Sequence, residues 1–409
     1  MQENNISIAE FENCQKCNIC AEVCPMMEVN PLYPGPKQAV PDGERYRLKD
    51  PAFFDNALKY CLNCKRCEVA CPSGVKIGDI IAVNKLKYYK SEHKMRDTAL
   101  ASTDLVGSLA SPFAPIVNGV LSLGVTKSVM DGVLGVSKHR TFPKYSSRKF
   151  TSWLRRHAHE QNAYPRKVTY FHGCYVNYNY PQLGKDFVKL MNACGYGVML
   201  LEKERCCGVA MIANAMGEKA RKSALVNLAS IRKADTPVLT TSSTCTFTIR
   251  DEYEHVLGLP TSDIRSNLML ATRWLYRQIE DGKVKLIFKE DYSRKLAYHT
   301  ACHMQKMGWQ QYSVQLLQMI TGLQLTLLEQ HCCGISGTYG FKKENYEYSQ
   351  KVGAPLFDDI RNAGVEAVVT DCETCKWQIE ASTGLPVFNP VSILAEAIDF
   401  EKTKEANAQ

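Results

Sequence analysis

The 409-residue sequence is short of the signatures by which enzymes hold nucleotides or activate nucleophiles. No glycine-rich dinucleotide fingerprint is present. The nearest string, CGYGVM at Cys194–Met199, lacks both the third glycine and a preceding strand. There is no P-loop and no Ser/His/Asp order, so the chain is not expected to transform a substrate unaided. The opening MQENNISIAEFENC has no basic start and no apolar stretch, so a secretory signal is not expected and a reducing compartment is. Three local absences divide the chain further. Residues 96–165 hold no cysteine, Leu105–Thr126 holds no charge over 22 residues, and Lys138–Lys167 holds one acid, Glu160, against nine Lys/Arg.

Cysteine is what the sequence has in excess, at 18 residues. In a reducing compartment that number points to metal ligation before disulfides. Eight lie in residues 1–95 and ten in 166–409. Cys14, Cys17, Cys20 and Cys24 have the spacing C-x2-C-x2-C-x3-C-P, and Cys61, Cys64, Cys67 and Cys71 repeat it at an offset of 47. Two residues between thiolates let a turn wrap three corners of an Fe4S4 cube, and the fourth cysteine ligates the neighbouring cube. The spacing assigns Cys14, Cys17, Cys20 and Cys71 to one [4Fe-4S] cluster, and Cys61, Cys64, Cys67 and Cys24 to another. Pro25 and Pro72 turn the chain away after each set. Structural zinc also uses C-x2-C pairs, but it gives no reason for triplets with a proline-flanked fourth. Asp50–Pro51 reads as the start of a helix, Pro51–Tyr60, that delivers the second set.

The last region is duplicated. VTYFHGC (Val168–Cys174) matches LAYHTAC (Leu296–Cys302), VMLLEKERCCG (Val198–Gly208) matches LTLLEQHCCG (Leu325–Gly334), and VLTTSSTC (Val238–Cys245) matches VVTDCETC (Val368–Cys375). The cysteine offsets are 128, 126 and 130. Apolar runs ending in cysteine, alternating with helical stretches, predict two α/β units with thiols in the loops after the strands. Repeat two offers Cys302, Cys332, Cys333, Cys372 and Cys375. Repeat one offers Cys174, Cys206, Cys207 and Cys245, with Ser242 where the fifth thiol would be. Gly208 and Gly334 are expected to allow a positive φ or a close backbone approach. Cys194 falls outside both sets and reads as a core thiol.

The C…CCG…CxxC pattern resembles the cysteine-rich domain found in the B subunits of heterodisulfide reductases and their relatives. That resemblance implies a noncubane iron–sulfur cluster on the five cysteines of repeat two. For repeat one the serine leaves open a second such cluster, a four-cysteine cluster, or an altered one. Coupling of the ferredoxin-type head to two CCG repeats, together with the segment from Asn30 to Ile80, resembles the C subunits of anaerobic glycerol-3-phosphate dehydrogenases. The glycolate oxidase iron–sulfur subunits have a related layout. The resemblance implies an electron-transfer subunit that takes electrons from flavoprotein partners, the only carriers of FAD or FMN, and passes them to menaquinone. It implies a peripheral position on the cytoplasmic side of the bacterial inner membrane. A different class of function, disulfide reduction at the repeat-two cluster, is the alternative that the heterodisulfide reductase likeness brings.

The expected fold is therefore mixed α/β and α+β. A helical bis-[4Fe-4S] ferredoxin-like domain spans 1–95, a helical and basic linker 96–165, and the two CCG units 166–290 and 291–409. The uncharged Leu105–Thr126 is long enough to span a bilayer, but Pro112, Pro115, three glycines and Asn118 argue for short amphipathic helices instead. The adjoining cations, interleaved with Phe142, Tyr145, Phe150, Trp153 and Tyr164, fit a membrane surface or a solvated linker. So local a basic strip does not suggest nucleic acid. His172, His299, His303 and His331 flank the CCG cysteines. His299 and His303 are candidates for proton delivery to a quinone, or for hydrogen bonds to cluster sulfurs or backbone.

Overall fold

The computed structural model describes residues 9–408, so most of the N-terminal stretch in which a secretory signal would fall lies outside the described residues. Two four-stranded sheets dominate the C-terminal two-thirds. In repeat one, β1 (Arg166–Phe171), β2 (Tyr196–Leu200), β3 (Val238–Thr240) and β4 (Leu268–Leu270) stand in the order β2-β1-β3-β4. In repeat two, β5 (Arg294–Tyr298), β6 (Leu323–Leu327), β7 (Ala367–Val369) and β8 (Val387–Phe388) stand in the order β6-β5-β7-β8. Every pairing is parallel, with Val168 opposite Val198 and Leu296 opposite Leu325. Parallel sheets are covered by helices on both faces, which is why Val168–Phe171 and Leu296–Tyr298 are buried without alternation.

The helices follow their apolar periodicity. Pro181–Ala193 buries Leu183, Phe187, Leu190 and Met191, and packs against Pro390–Ala397 of repeat two. One apolar core consequently runs through both sheets, joining Tyr170 and Phe187 to Tyr298, Leu316 and Leu394. Cys194 lies inside that core, and burial pushes its thiol up to about 12, as suits a packing thiol.

Residues 9–95 wrap short helices around two cysteine loops, and the longest helix, Ile77–Tyr88, backs them. The helix expected over Pro51–Tyr60 is shorter than the sequence suggested. Only Asn56–Tyr60 forms, as a 3-10 turn, and the cap is Asp55, which accepts from the Ala57 amide at 2.8 Å. Asp50 instead closes a local turn with the Ala52 amide.

The segment 96–165 is woven into both repeats. Arg140 is buried among Gly340, Ser349 and Gln378 of repeat two, and its guanidinium lies over Tyr346. Phe150 is fully buried against Gly184, where a β-carbon would meet its ring at 2.4 Å. Of the nine cations, Arg140, Arg166 and Lys167 are tied to carbonyls or side chains of the fold, whereas Lys138, Lys144, Arg148, Arg155 and Arg156 are exposed. The interleaved aromatics do not form an exposed belt. Phe150 is core, and Phe142 packs on Phe341.

The prolines do not break the uncharged run. Ser111–Phe113 tightens to a 3-10 turn between Thr103–Ala110 and Ala114–Ser122, and Pro112 and Pro115 fall in first turns, where a missing N–H is harmless. Thr103–Ser122 thus makes a 20-residue helical stretch, apolar and long enough to cross a membrane, with 22% of its most apolar 18 residues buried against the protein. Leu105, Leu109, Phe113 and Ile116 are each between 61 and 68% exposed, and Val120 and Leu123 continue the same helical ridge.

Candidate metal centres

Each cysteine loop of the N-terminal region bends through two left-handed residues, Lys16 and Asn18 in the first and Asn63 and Lys65 in the second. Asparagine tolerates that conformation and lysine does not favour it, so the surroundings must impose it. Both pairs flank the middle cysteine of a triplet. Alternating left- and right-handed residues form a concave backbone nest suited to an anionic group. Cys14, Cys17, Cys20 and Cys71 line one small pocket, in which Cys17 is exposed. Burial, then the Cys14, Cys71 and Cys17 thiolates, raise the Cys20 thiol. Cys24 has crossed to the other loop. Burial pushes it up to about 12, with Cys64 and Cys61 as its charged neighbours. Cys67 is raised by burial, and it faces Cys64, Cys61 and Cys24.

Lys65 is fully buried between Cys64 and Arg66. Its ammonium meets Asp79 and lies 3.5 Å from Glu68, while Lys306 reaches Glu68 at 2.8 Å. This buried ion cluster fixes the second loop. The loop in turn sits on both repeats. Ser336 of repeat two donates to the Leu62 carbonyl at 2.6 Å and His303 contacts the Asn63 carbonyl, while Asn63 donates to Glu252 of repeat one at 2.7 Å.

In repeat two the strand ends deliver five thiols in a continuous chain of contacts, Cys302 to Cys332 to Cys333 to Cys375 to Cys372. The Cys333–Cys375 sulfurs are 3.3 Å apart. Gly334 has φ +82°, and a β-carbon there would sit 2.0 Å from the Ser349 carbonyl, so only glycine fits. Gly208 has φ +92° at the matching place. Cys302 also contacts Cys64, which joins the repeat-two thiols to the second N-terminal set. The Cys375 contact brings Cys372 down to about 5.

Repeat one brings together four thiols, Cys174, Cys206, Cys207 and Cys245. Ser242 is otherwise engaged. It caps its helix by accepting from the Cys245 amide at 3.1 Å and donates to Glu373 at 2.8 Å. Burial, then Cys372, raise the Glu373 carboxyl to about 8. Asp104, from the middle segment, accepts from the Cys206 amide at 2.7 Å, and burial raises its carboxyl to about 6. Neither acid was visible as a site residue in the sequence, since both reach the thiols from outside repeat one. The two repeats meet here, where Thr244 lies 3.4 Å from the Cys372 sulfur and Ser243 bonds the Asp371 carbonyl.

The histidines are scattered. His172 packs on Glu204, and His331 lies at the surface beside Glu329 and Asp359. His303 stacks on Phe247. His299 is fully buried, with neither ring nitrogen hydrogen-bonded among the described residues, and burial lowers its pKa to about 4.

All 18 cysteines are free thiols. Several thiols crowded together in a buried site can all ionise only when cations neutralise their mutual repulsion, so the donor sets fit metal centres. Residues 10–75 match the 4Fe-4S dicluster domain family, and residues 168–250 and 296–380 each match the cysteine-rich domain family. The chain is 55% identical over 392 residues to the C subunit of the anaerobic glycerol-3-phosphate dehydrogenase of Escherichia coli, covering 95% of this chain and 98% of that one. This chain belongs to the family of anaerobic glycerol-3-phosphate dehydrogenase C subunits. It is an iron–sulfur, electron-transfer type of subunit with one dicluster domain and two cysteine-rich domains. More distant relatives include the probable glycolate oxidase iron–sulfur subunit of Bacillus subtilis, 25% identical over 91% of this chain and 88% of that one. The B subunit of the fumarate reductase (CoM/CoB) of Methanothermobacter marburgensis is 23% identical over 91% of this chain and 68% of that one.

Proposed function

We propose that the chain is the electron-transfer and membrane-anchoring subunit of a glycerol-3-phosphate dehydrogenase, taking electrons from a flavoprotein partner and passing them to menaquinone. The observation that carries this reading is the packing of Cys302 and Cys332 in one apolar cluster with Cys24, Cys61 and Cys64, which brings the repeat-two thiols up against the second N-terminal set. Bound iron–sulfur clusters supply one-electron transfer, and several in a row split the electron pair a flavin delivers. Cys14, Cys17, Cys20 and Cys71 would hold one [4Fe-4S] cluster, and Cys61, Cys64, Cys67 and Cys24 the other. The five thiols of repeat two would hold a noncubane cluster. Exposed Cys17 marks the side where a partner can approach the first cluster. Buried Lys65, paired with Asp79 and Glu68, would hold the loop that carries the second in place.

Membrane attachment rests on the exposed ridge from Leu105 to Leu123 and on five exposed cations beyond it. Each cation near an anionic surface contributes about 1 kcal/mol. The ridge supplies the apolar contact of a peripheral protein on the cytoplasmic face of the inner membrane.

Anaerobic co-purification with the partner subunits, iron counting and an assay of glycerol-3-phosphate-dependent quinone reduction test the reading. Coupled turnover supports it. Disulfide-dependent turnover without a flavoprotein would favour the heterodisulfide-reductase-like alternative. Flotation with anionic vesicles tests the anchor, and Leu109→Glu with Ile116→Glu should abolish binding.

A further inference from the structure

A cavity of about 540 Å³ opens where four parts of the chain meet. The N-terminal region contributes Cys61, Asn63, Lys85 and His93 to its wall, and repeat two contributes Ser336 to Asn345. Ala213 of repeat one and the turn Asp131–Gly135 close it. A short helix, Gly124–Val129, with Val125 and Val129 exposed, joins the apolar ridge to that turn, and the turn's Val133 is itself exposed. The volume is of the size that holds a small organic ligand.

Two features say what kind of ligand. The cavity touches Cys61, a ligand of the second cluster in the reading above, so its contents lie against an electron donor. Tyr339 lines the cavity and is only 7% exposed, and its hydroxyl has no hydrogen-bond partner among the described residues. Leaving a buried donor unpaired is destabilising, and an acceptor placed in the cavity would satisfy it. Lys85 adds an ammonium whose partner among the described residues is the Cys61 carbonyl at 3.4 Å, a long contact that leaves donors to spare. A ligand suited to these walls is compact, accepts hydrogen bonds through its oxygens, takes electrons, and arrives along an apolar surface.

We infer that this cavity binds the headgroup of a quinone, with Tyr339 and Lys85 donating to its carbonyl oxygens and the tail leaving past Val133 along the ridge. The inference rests on the acceptor reading above and locates its site. The reaction balances as one quinone, two electrons and two protons giving one quinol. A reduced cluster held by Cys61 and its partner thiols would supply the two electrons one at a time, being reoxidised at each transfer. The protons come from water at the open side, where His93 is exposed.

The test uses the complete complex in anionic nanodiscs and a naphthoquinone carrying a photoreactive azide. Labelled peptides from 85–96 or 336–345 are expected. Tyr339→Phe keeps the ring and should weaken binding about 5- to 10-fold, the worth of one hydrogen bond. Gly132→Phe adds bulk where a β-carbon meets nothing within 4 Å, so the fold should tolerate it, and it should abolish labelling. If the wild-type complex reduces quinone but labels elsewhere, or both variants bind as wild type, the site assignment is overturned and the acceptor reading stands. If wild type neither binds nor reduces quinone, both fall.

Discussion

The two CCG repeats share a sheet order and a cysteine plan, yet their sites differ in reach. The five thiols of repeat two touch the dicluster domain through Cys302 and Cys64. The four of repeat one touch none of the N-terminal thiols among the described residues, and they face Asp104 and the Ser242–Glu373 pair instead. A single residue, serine for cysteine, accompanies this change. Its hydroxyl serves as a helix cap and binds a buried acid of the neighbouring repeat. Duplication supplied two frames, and contact with the rest of the chain gave them different jobs.

The strongest way to break the comparison is to remove a thiol from each. Cys333→Ala takes out the sulfur in contact with both Cys332 and Cys375 and should lose the whole repeat-two centre, lowering iron content and slowing acceptor reduction by about 100-fold or more. Cys207→Ala should leave the repeat-two spectrum intact. Equal effects would mean that the repeats are equivalent.

The anchors of the middle segment differ in the same direction. Asp97 is buried between Arg96 and Lys342 of repeat two, whereas Asp104 gives repeat one a single amide bond. Burial raises the Asp97 carboxyl, but Lys342, Ser91 and Arg96 outweigh it, so the folded carboxyl titrates below its usual value. Its contribution is therefore present above the ordinary carboxylate pKa of about 4 and lost as pH falls below it. Asp97→Asn should destabilise the protein by about 3 kcal/mol at neutral pH, and the gap from wild type in chemical denaturation should narrow toward about pH 3.

A smaller effect sharpens the role of Ser242. Ser242→Ala removes a cap and strands Glu373, and should lower stability by about 1–2 kcal/mol with no change in repeat-two iron. A change in the repeat-two spectrum would show that Ser242 serves that site as well.

Much of this was legible in the sequence, because thiol spacing is dictated by cluster geometry and strand ends by apolar runs. The paired triplets, the three matched offsets and the glycines after each cysteine pair all carry local signals. What was not legible depends on distant partners. Arg140 reads as a surface cation until Gln378 and Ser349 enclose it. Phe150 reads as an interfacial aromatic until Gly184 makes room for it. Pro112 and Pro115 read as helix breakers until their first-turn positions are seen. The Tyr339 cavity has no motif at all, since four separate segments build it.

The central claim is that repeat two, and not repeat one, is wired to the dicluster domain. The most direct measurement is low-temperature EPR of the anaerobically reduced protein, comparing wild type with Cys302→Ser and Cys207→Ser. The account predicts that Cys302→Ser alters both the repeat-two signal and the signal of the cluster proposed for Cys61, Cys64 and Cys67, while Cys207→Ser alters neither. An unchanged dicluster signal in Cys302→Ser, or a changed one in Cys207→Ser, would contradict it.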